Sequence, residues 1–258
     1  MRGVRNTIFE FWIFLRSVYF WILCVIVTAV ICLLASLTLP FRAYNLVNHL
    51  ARLWGRIMIM LSPVTFIVEN KEKLYTGGPV ILISNHQSMF DVVTMFTFIR
   101  MHVRWMAKDS LFYIPVFGWA MKAAGFIPVV RNDKKKAIKA LYEAAEDIRN
   151  GVSVILFPEG TRGFEDGSMH PFKGGGFILA RKARVPLQPV VVYGAHKIIP
   201  VKRNQKFQKI YPGIVNVAIL DPILPEEYGH MKADELSDFV RKKMEVKLGE
   251  FMGGKIDR

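Results

Sequence analysis

The sequence predicts an α/β fold: a mixed, largely parallel sheet flanked by helices, preceded by an N-terminal two-helix membrane-anchoring segment. Three observations lead there. From about residue 63 onward, short apolar runs of strand length alternate with helical stretches, the pattern of layered βα units. Two polar strings, Asn85-His86-Gln87-Ser88-Met89-Phe90-Asp91 and Phe157-Pro158-Glu159-Gly160-Thr161-Arg162, lie at the ends of such runs, Val80 to Ser84 and Val152 to Phe157. Polar groups at the ends of parallel strands are placed to meet a ligand. Finally, Ser17 to Leu39 carries no charged residue. As a helix it extends roughly 35 Å, enough to cross a bilayer.

The N-terminal elements come first. Upstream of the uncharged run lie Phe9, Phe11, Trp12 and Phe14, and it opens with Tyr19, Phe20 and Trp21. Such aromatic density belongs near a headgroup interface. The apolar core is too long for a cleaved leader and has no small-x-small cleavage site. Pro40 ends the first helix. A second, 41–61, mixes Leu46, Val47, Leu50, Leu53, Trp54, Ile57 and Met58 with Arg42, Arg52 and Arg56, and reads as amphipathic and interfacial. Arginines flank the long run on both sides, Arg2, Arg5 and Arg16 before it, so the positive-inside rule gives a tie. A tie is what a monotopic hairpin returning to one leaflet would show, with a single crossing as the alternative. Residues 1–62 are therefore read as the anchor, in a cell membrane, and 63–258 as the α/β domain, on its cytoplasmic face.

Within the domain, strands are expected at 79–84, 103–107, 127–130, 152–157, 187–193 and 214–220. Helices are expected at 89–99 with Ser88 as cap, at 115–124 stopped by Gly125, and at 134–149 ended by Asn150-Gly151. The 134–149 helix should turn Ile138, Leu141, Ala145 and Ile148 inward. Another helix spans 175–182. A last one, capped by Asp234, carries Leu236, Phe239, Val240, Met244 and Leu248 on one face.

Composition narrows the partners. The chain has 258 residues, 52% of them hydrophobic, and a formal net charge of +14. That balance suits an anionic partner: a phosphorylated substrate, an acidic membrane or nucleic acid. The clusters Lys134-Lys135-Lys136, Arg181-Lys182-Arg184, Lys202-Arg203 and Arg241-Lys242-Lys243 are solvated helix faces, headgroup contacts or a donor-carrier site; the sequence leaves all three open. Cys24 and Cys32 sit eight residues apart in the apolar run, about 12 Å on one helix, too far to bridge. The six histidines have no zinc-ligand spacing, and Gly-x-Gly-x-x-Gly, Walker and Gly-x-Ser-x-Gly patterns are absent. No metal or resident cofactor is expected.

The two strings supply a possible base with a carboxylate five residues on, and an acid, a flexible glycine, a hydroxyl and a fixed cation. Acyl transfer to a hydroxyl, the reaction that the family resemblance given below implies, needs a base, donors for an oxyanion, and oriented substrates. Imidazole, with a pKa near 6.5 in water, accepts a proton near neutrality, which makes His86 a candidate base. Asp91, five residues on across a strand-to-helix turn, can accept from the other ring nitrogen and hold the tautomer. The substrate's own hydroxyl takes the place of a serine. Arg162 offers a planar fork to phosphate; Lys108 and Arg131 are further candidates or solvated charges. Glu159 either binds a glycerol hydroxyl or pairs with Arg162. Gly160 lets backbone approach closely and offers an N–H to an oxyanion. Thr161, in the same substrate-binding string, reads as a turn cap before a ligand. Phe172-Lys173-Gly174-Gly175-Gly176 opens a helix; its N–H groups face an anion or its glycines simply permit a tight turn.

The chain resembles the glycerolipid acyltransferase family. The first string has that family's His-x4-Asp pattern and the second its Pro-Glu-Gly-Thr-Arg pattern. Gly125-Phe126-Ile127-Pro128-Val129-Val130-Arg131 is similar to its second block, and Val185-Pro186-Leu187-Gln188-Pro189-Val190 to its fourth. The wording is most similar to the subfamily acting on 1-acylglycerol 3-phosphate. The resemblance implies transfer of a fatty acyl group from acyl carrier protein or acyl-CoA, as co-substrate, to the sn-2 hydroxyl of lysophosphatidic acid. The product would be phosphatidic acid, with no covalent acyl-enzyme and an acyl tunnel in the domain. Expected partners are membrane lipids and these substrates, not nucleic acid. Rival readings are an acceptor such as glycerol 3-phosphate or another lysolipid, and a non-catalytic basic membrane scaffold.

Overall fold

A computed structural model describes residues 2–130, 134–200 and 207–253. Two helices, α1 (Arg2–Leu37) and α2 (Tyr44–Leu61), precede seven strands: β1 (Val64–Glu69), β2 (Ile81–Ser84), β3 (Val103–Lys108), β4 (Ile127–Val129), β5 (Ser153–Leu156), β6 (Leu187–Tyr193) and β7 (Gly213–Ile219). Between and after them come α3 (Met89–Phe98), α4 (Phe117–Ala123), α5 (Lys134–Arg149), α6 (Gly175–Ala183), α7 (Ala195–Ile198), α8 (Pro225–Tyr228) and α9 (Ala233–Gly253). The strands form one sheet in the order β1-β7-β6-β2-β5-β3-β4, every pair parallel except β6 with β7.

The central strands are apolar throughout because both faces are covered. Leu82, Ile155, Val190 and Val192 point to one face, where they meet Phe20 and Cys24 of α1, Met58 of α2 and Phe90 and Val93 of α3. Ile81, Ile83, Val154, Leu156 and Val191 point to the other, against Ala145 and Ile148 of α5, Phe177 and Leu179 of α6, and Leu236, Val240, Met244 and Leu248 of α9. The expected inward set of α5 fails at Ile138, which is 54% exposed; Ala144 takes its place in the core. Asp234 is a first-turn residue of α9, and the start is closed instead by Glu235, whose carboxylate accepts from the Lys232 N–H at 2.7 Å.

The N-terminal helices share this core. Phe20 is 1% exposed and Met58 fully buried. Helix α1 is tied to the domain along its length. Ser17 Oγ accepts from the Ile210 N–H (2.9 Å), Trp21 Nε1 donates to Gln208 O (2.7 Å), and Ser36 Oγ donates to Val116 O (3.1 Å). Those ties run over roughly 28 Å of helix. Helix α2 crosses α3 at Gly55, where a Cβ would stand 2.6 Å from Thr97 Oγ1. The far side of the pair is apolar and open: Trp12, Tyr19, Ile22, Val25, Val30, Leu37, Phe41 and Met60 are all more than half exposed. Only 17% of the apolar window of α1 is buried.

Candidate active site

The two polar strings converge because β2 and β5 are adjacent and parallel, with Ile83 opposite Leu156. Their continuations leave the same sheet edge. Strand β6, on the other side of β2, ends at that edge too and feeds α7. Asn85 extends the β2–β6 ladder with its side chain: Nδ2 donates to Val192 O and Oδ1 accepts from the Val192 N–H, both at 2.8 Å. That pins the residue before His86.

Ser88 then starts α3. Its Oγ accepts from the Phe90 N–H (3.1 Å), and the Asp91 carboxylate reaches back over the N-terminus. Asp91 Oδ2 accepts from the Gln87 N–H, from the Ser88 N–H (2.7 Å) and from His86 Nδ1 (2.7 Å). Three donors and the helix dipole fix a fully buried carboxylate. An anionic acceptor at Nδ1 places the imidazole proton there and leaves the Nε2 lone pair free. Nε2 makes no hydrogen bond among the described residues. The ring stacks on Phe157 (centroids 4.2 Å apart, planes 12° apart), and the His86 side chain is 20% exposed. The imidazole is thereby held by the Asp91 carboxylate at Nδ1 and by the Phe157 ring on one face.

The second string folds as a turn around the His86 backbone. The Gly160 N–H donates to Phe157 O (3.1 Å), so it is spent within the turn and is not the free oxyanion donor expected of it. Gly160 sits at φ +66°, where glycine is unstrained. The Gly163 N–H donates to His86 O (2.6 Å). Glu159 pairs with neither Arg162 nor an open surface. It is 2% exposed, and its two oxygens accept from the backbone N–H groups of His86 (2.8 Å) and His170 (2.7 Å). Burial pushes its pKa up to about 6, against the pull of those two N–H donors. It braces three loop segments together. The Thr161 hydroxyl makes no hydrogen bond among the described residues, so it caps nothing. Arg162 is partly exposed just beyond the turn, and Lys108 is exposed at the end of β3 on the same sheet edge; neither forms an ion pair among the described residues. Arg131 lies outside the described residues.

Several supporting residues have no signature in the sequence. Gln87, 2% exposed, donates from Nε2 to Gly167 O (2.8 Å), and its Oε1 stands 3.0 Å from His196 Nδ1. His196 is buried, and its pKa is lowered by that burial and by Lys197. Gly167, at φ +86°, has the His196 ring 2.4 Å from where a Cβ would be. Only the resolved fold brings residues 87, 167 and 196 together, since they come from three separate loops.

Comparison with known proteins shows the family. The acyltransferase family model matches residues 65–193. The chloroplastic 1-acyl-sn-glycerol-3-phosphate acyltransferase BAT2 of Brassica napus is 36% identical over 197 residues, 76% of this chain and 54% of that protein. The chain therefore spans about half the length of this plant relative. The 1-acyl-sn-glycerol-3-phosphate acyltransferase of Escherichia coli (strain K12) is 31% identical over 233 residues, 89% of this chain and 91% of that protein. The crystal structure of the 1-acyl-sn-glycerophosphate (LPA) acyltransferase PlsC from Thermotoga maritima superposes with a TM-score of 0.76 at 26% identity, covering 97% of this chain and 98% of that one. Matched over half its length by the family model and over most of its length by these relatives, the chain belongs to the acyltransferase family.

Proposed function

We propose that this protein transfers a fatty acyl group from a thioester donor, acyl carrier protein or acyl-CoA, to the sn-2 hydroxyl of 1-acyl-sn-glycerol 3-phosphate, giving phosphatidic acid. The observation that carries this reading is the His86–Asp91 pair at 2.7 Å with Nε2 left free. His86 Nε2 takes the acceptor's hydroxyl proton as the oxygen attacks the thioester carbonyl. The tetrahedral intermediate collapses and expels the thiolate, which takes up a proton. Asp91 holds the tautomer and stabilises the imidazolium. Asp91 Oδ1, buried with no donor among the described residues, adds negative potential to the same end. No enzyme nucleophile is needed, since the acceptor oxygen attacks directly. Arg162, with Lys108 on the same edge, grips the acceptor phosphate.

The anchor fits this chemistry. Helix α1 is fastened side-on to the domain from Ser17 to Ser36, which favours a monotopic seat in one leaflet over a crossing. The open apolar face of α1 and α2 then lies among acyl chains, and the site opens at the surface where acceptor and product reside.

The decisive experiment incubates the purified protein with labelled acyl donor and either 1-acylglycerol 3-phosphate, 1-acylglycerol or glycerol 3-phosphate. Incorporation only into the first is expected; equal incorporation without the phosphate refutes the phosphate grip. His86→Ala should cut turnover by about a hundred- to ten-thousand-fold with membrane binding intact. Activity within a few-fold of wild type ends the base assignment.

A further inference from the structure

A second cation lies against the turn that encloses the His86 backbone. Lys173 lies in the loop leading into α6, and its N–H donates to Pro158 O (2.9 Å), which fixes its backbone beside the Phe157–Gly160 turn. Its side chain crosses the bare face of Gly160. A methyl group built on Gly160 would stand 2.9 Å from Lys173 Nζ, 3.2 Å from Cε and 3.3 Å from Cδ. The missing Cβ is thus the space that the lysine stem occupies, a demand separate from the φ of +66°. The ammonium has no ion pair and no hydrogen bond among the described residues. The acid next to Gly160, Glu159, forms no ion pair with it; the two Glu159 oxygens accept from the His86 and His170 N–H groups. Arg162, just beyond the same turn, equally has no carboxylate partner among the described residues. Two cations with no ion pair among the described residues, one lying across this turn and one just beyond it, suit a dianion such as a phosphate monoester.

We infer that Lys173 is a second phosphate-binding residue of the acceptor site, acting beside Arg162, and that Gly160 is the seat that aims it. The inference rests on the phosphate-acceptor reading above and adds a residue and a reason to it. The ammonium binds as a point charge where Arg162 supplies the fork. Gly160, whose N–H is committed within its turn, serves the site by the side chain it lacks.

The test measures kcat and KM for 1-acylglycerol 3-phosphate, and KM for the donor, in detergent micelles with the full chain. Lys173 is an exposed side chain, so Lys173→Gln and Lys173→Arg should fold, with unfolding midpoints as the control. Lys173→Gln should raise acceptor KM about tenfold or more, leave kcat within a few-fold and leave donor KM unchanged; Lys173→Arg should keep most of the affinity. Gly160→Ala should raise acceptor KM as well, and the double variant Gly160→Ala with Lys173→Gln should be no worse than the worse single change. Fully additive effects overturn the seat. Acceptor KM within twofold of wild type for Lys173→Gln, or a rise in donor KM alone, overturns the phosphate role. If Arg162→Gln raises acceptor KM while Lys173→Gln does not, only this inference falls. A wild-type protein that ignores the phosphate altogether removes the parent reading with it.

Discussion

Glu159 gives the sharpest quantitative test, because its environment sets both the sign and the size of a pH effect. Its pKa is pushed up to about 6 from an ordinary 4.5, first by burial. A carboxyl with a raised folded-state pKa binds its proton more tightly in the folded protein. Its ionisation therefore costs stability. The cost is absent well below pH 4.5, grows between 4.5 and 6 and is complete above about 6. The gap of about 1.5 units, at about 1.36 kcal/mol per unit, makes it about 2 kcal/mol. The side chain is 2% exposed, so solvent screening takes little from that figure. Glu159→Gln cannot ionise. It also turns an amide NH2 toward one of the two N–H groups the carboxylate now satisfies, and it pays for that mismatch at every pH. The stability difference between variant and wild type should therefore move with pH in the variant's favour as pH rises. Most of the 2 kcal/mol should appear between pH 4.5 and 7.5, about 3–6 °C in the difference of unfolding midpoints for a chain of this size. Thermal unfolding of both proteins in detergent, followed by tryptophan fluorescence, measures it. Titrating groups remote from Glu159 cancel in the difference. A gap that stays constant across this range would mean Glu159 is not held in a desolvated site.

Asp91→Asn preserves the shape of the His86 partner but not its charge, so kcat should fall on the order of a thousandfold or more while the unfolding midpoint moves by a few degrees; a loss under tenfold would refute the orienting role. Gly167→Ala forces a Cβ into the His196 ring from a backbone at φ +86°, and should cost about 1–3 kcal/mol in chemical or thermal unfolding; unchanged stability would show that His196 swings aside freely. Phe20→Ala empties a fully packed position between α1 and the sheet and should cost about 3–5 kcal/mol. Limited proteolysis of α1 should accelerate alongside, and an unaltered digest would mean α1 is held by the polar ties alone.

The architecture was legible where the sequence obeys one rule at a time. The apolar runs at 81–84, 153–156 and 187–193 announce strands buried on both faces, and α9 announces its core face through Leu236, Val240, Met244 and Leu248. Strand β1 was not picked out, because Val-Thr-Phe-Ile-Val-Glu follows directly on the apolar end of α2 and only its parallel pairing with β7 separates the two. The antiparallel pairing of β6 with β7 depends on chain direction, which no periodicity records. In the site, His86 and Asp91 were readable as a pair because their spacing fits a capped helix start. The pairing of Glu159 with Arg162, one of its two expected roles, is not formed: a buried carboxylate satisfied by backbone N–H groups looks, in one dimension, like any acid beside an arginine. Gln87, Gly167 and His196 meet only after three strand ends have been brought to one edge.

The same geometry makes anchor and site one mechanical unit. Phe90, whose N–H is held by Ser88 Oγ, is the immediate neighbour of Asp91, and its ring lies 6.0 Å from that of Phe20 in α1. Phe66 of β1 lies 6.4 Å from the same ring. The start of α3 is thus clamped between α1 and the sheet, with no linker between the exposed apolar face of α1 and Asp91. A tethered domain would leave the distance between that face and His86 to a flexible chain. Here it is set by side chains packed at the density of protein interiors. On the proposed reading, in which that face sits in lipid and His86 takes a proton from a lipid hydroxyl, the fixed offset is part of substrate positioning. Because near-attack geometry is intolerant of ångström errors, changes in the α1–α3 contact should register in kcat before they register in membrane affinity.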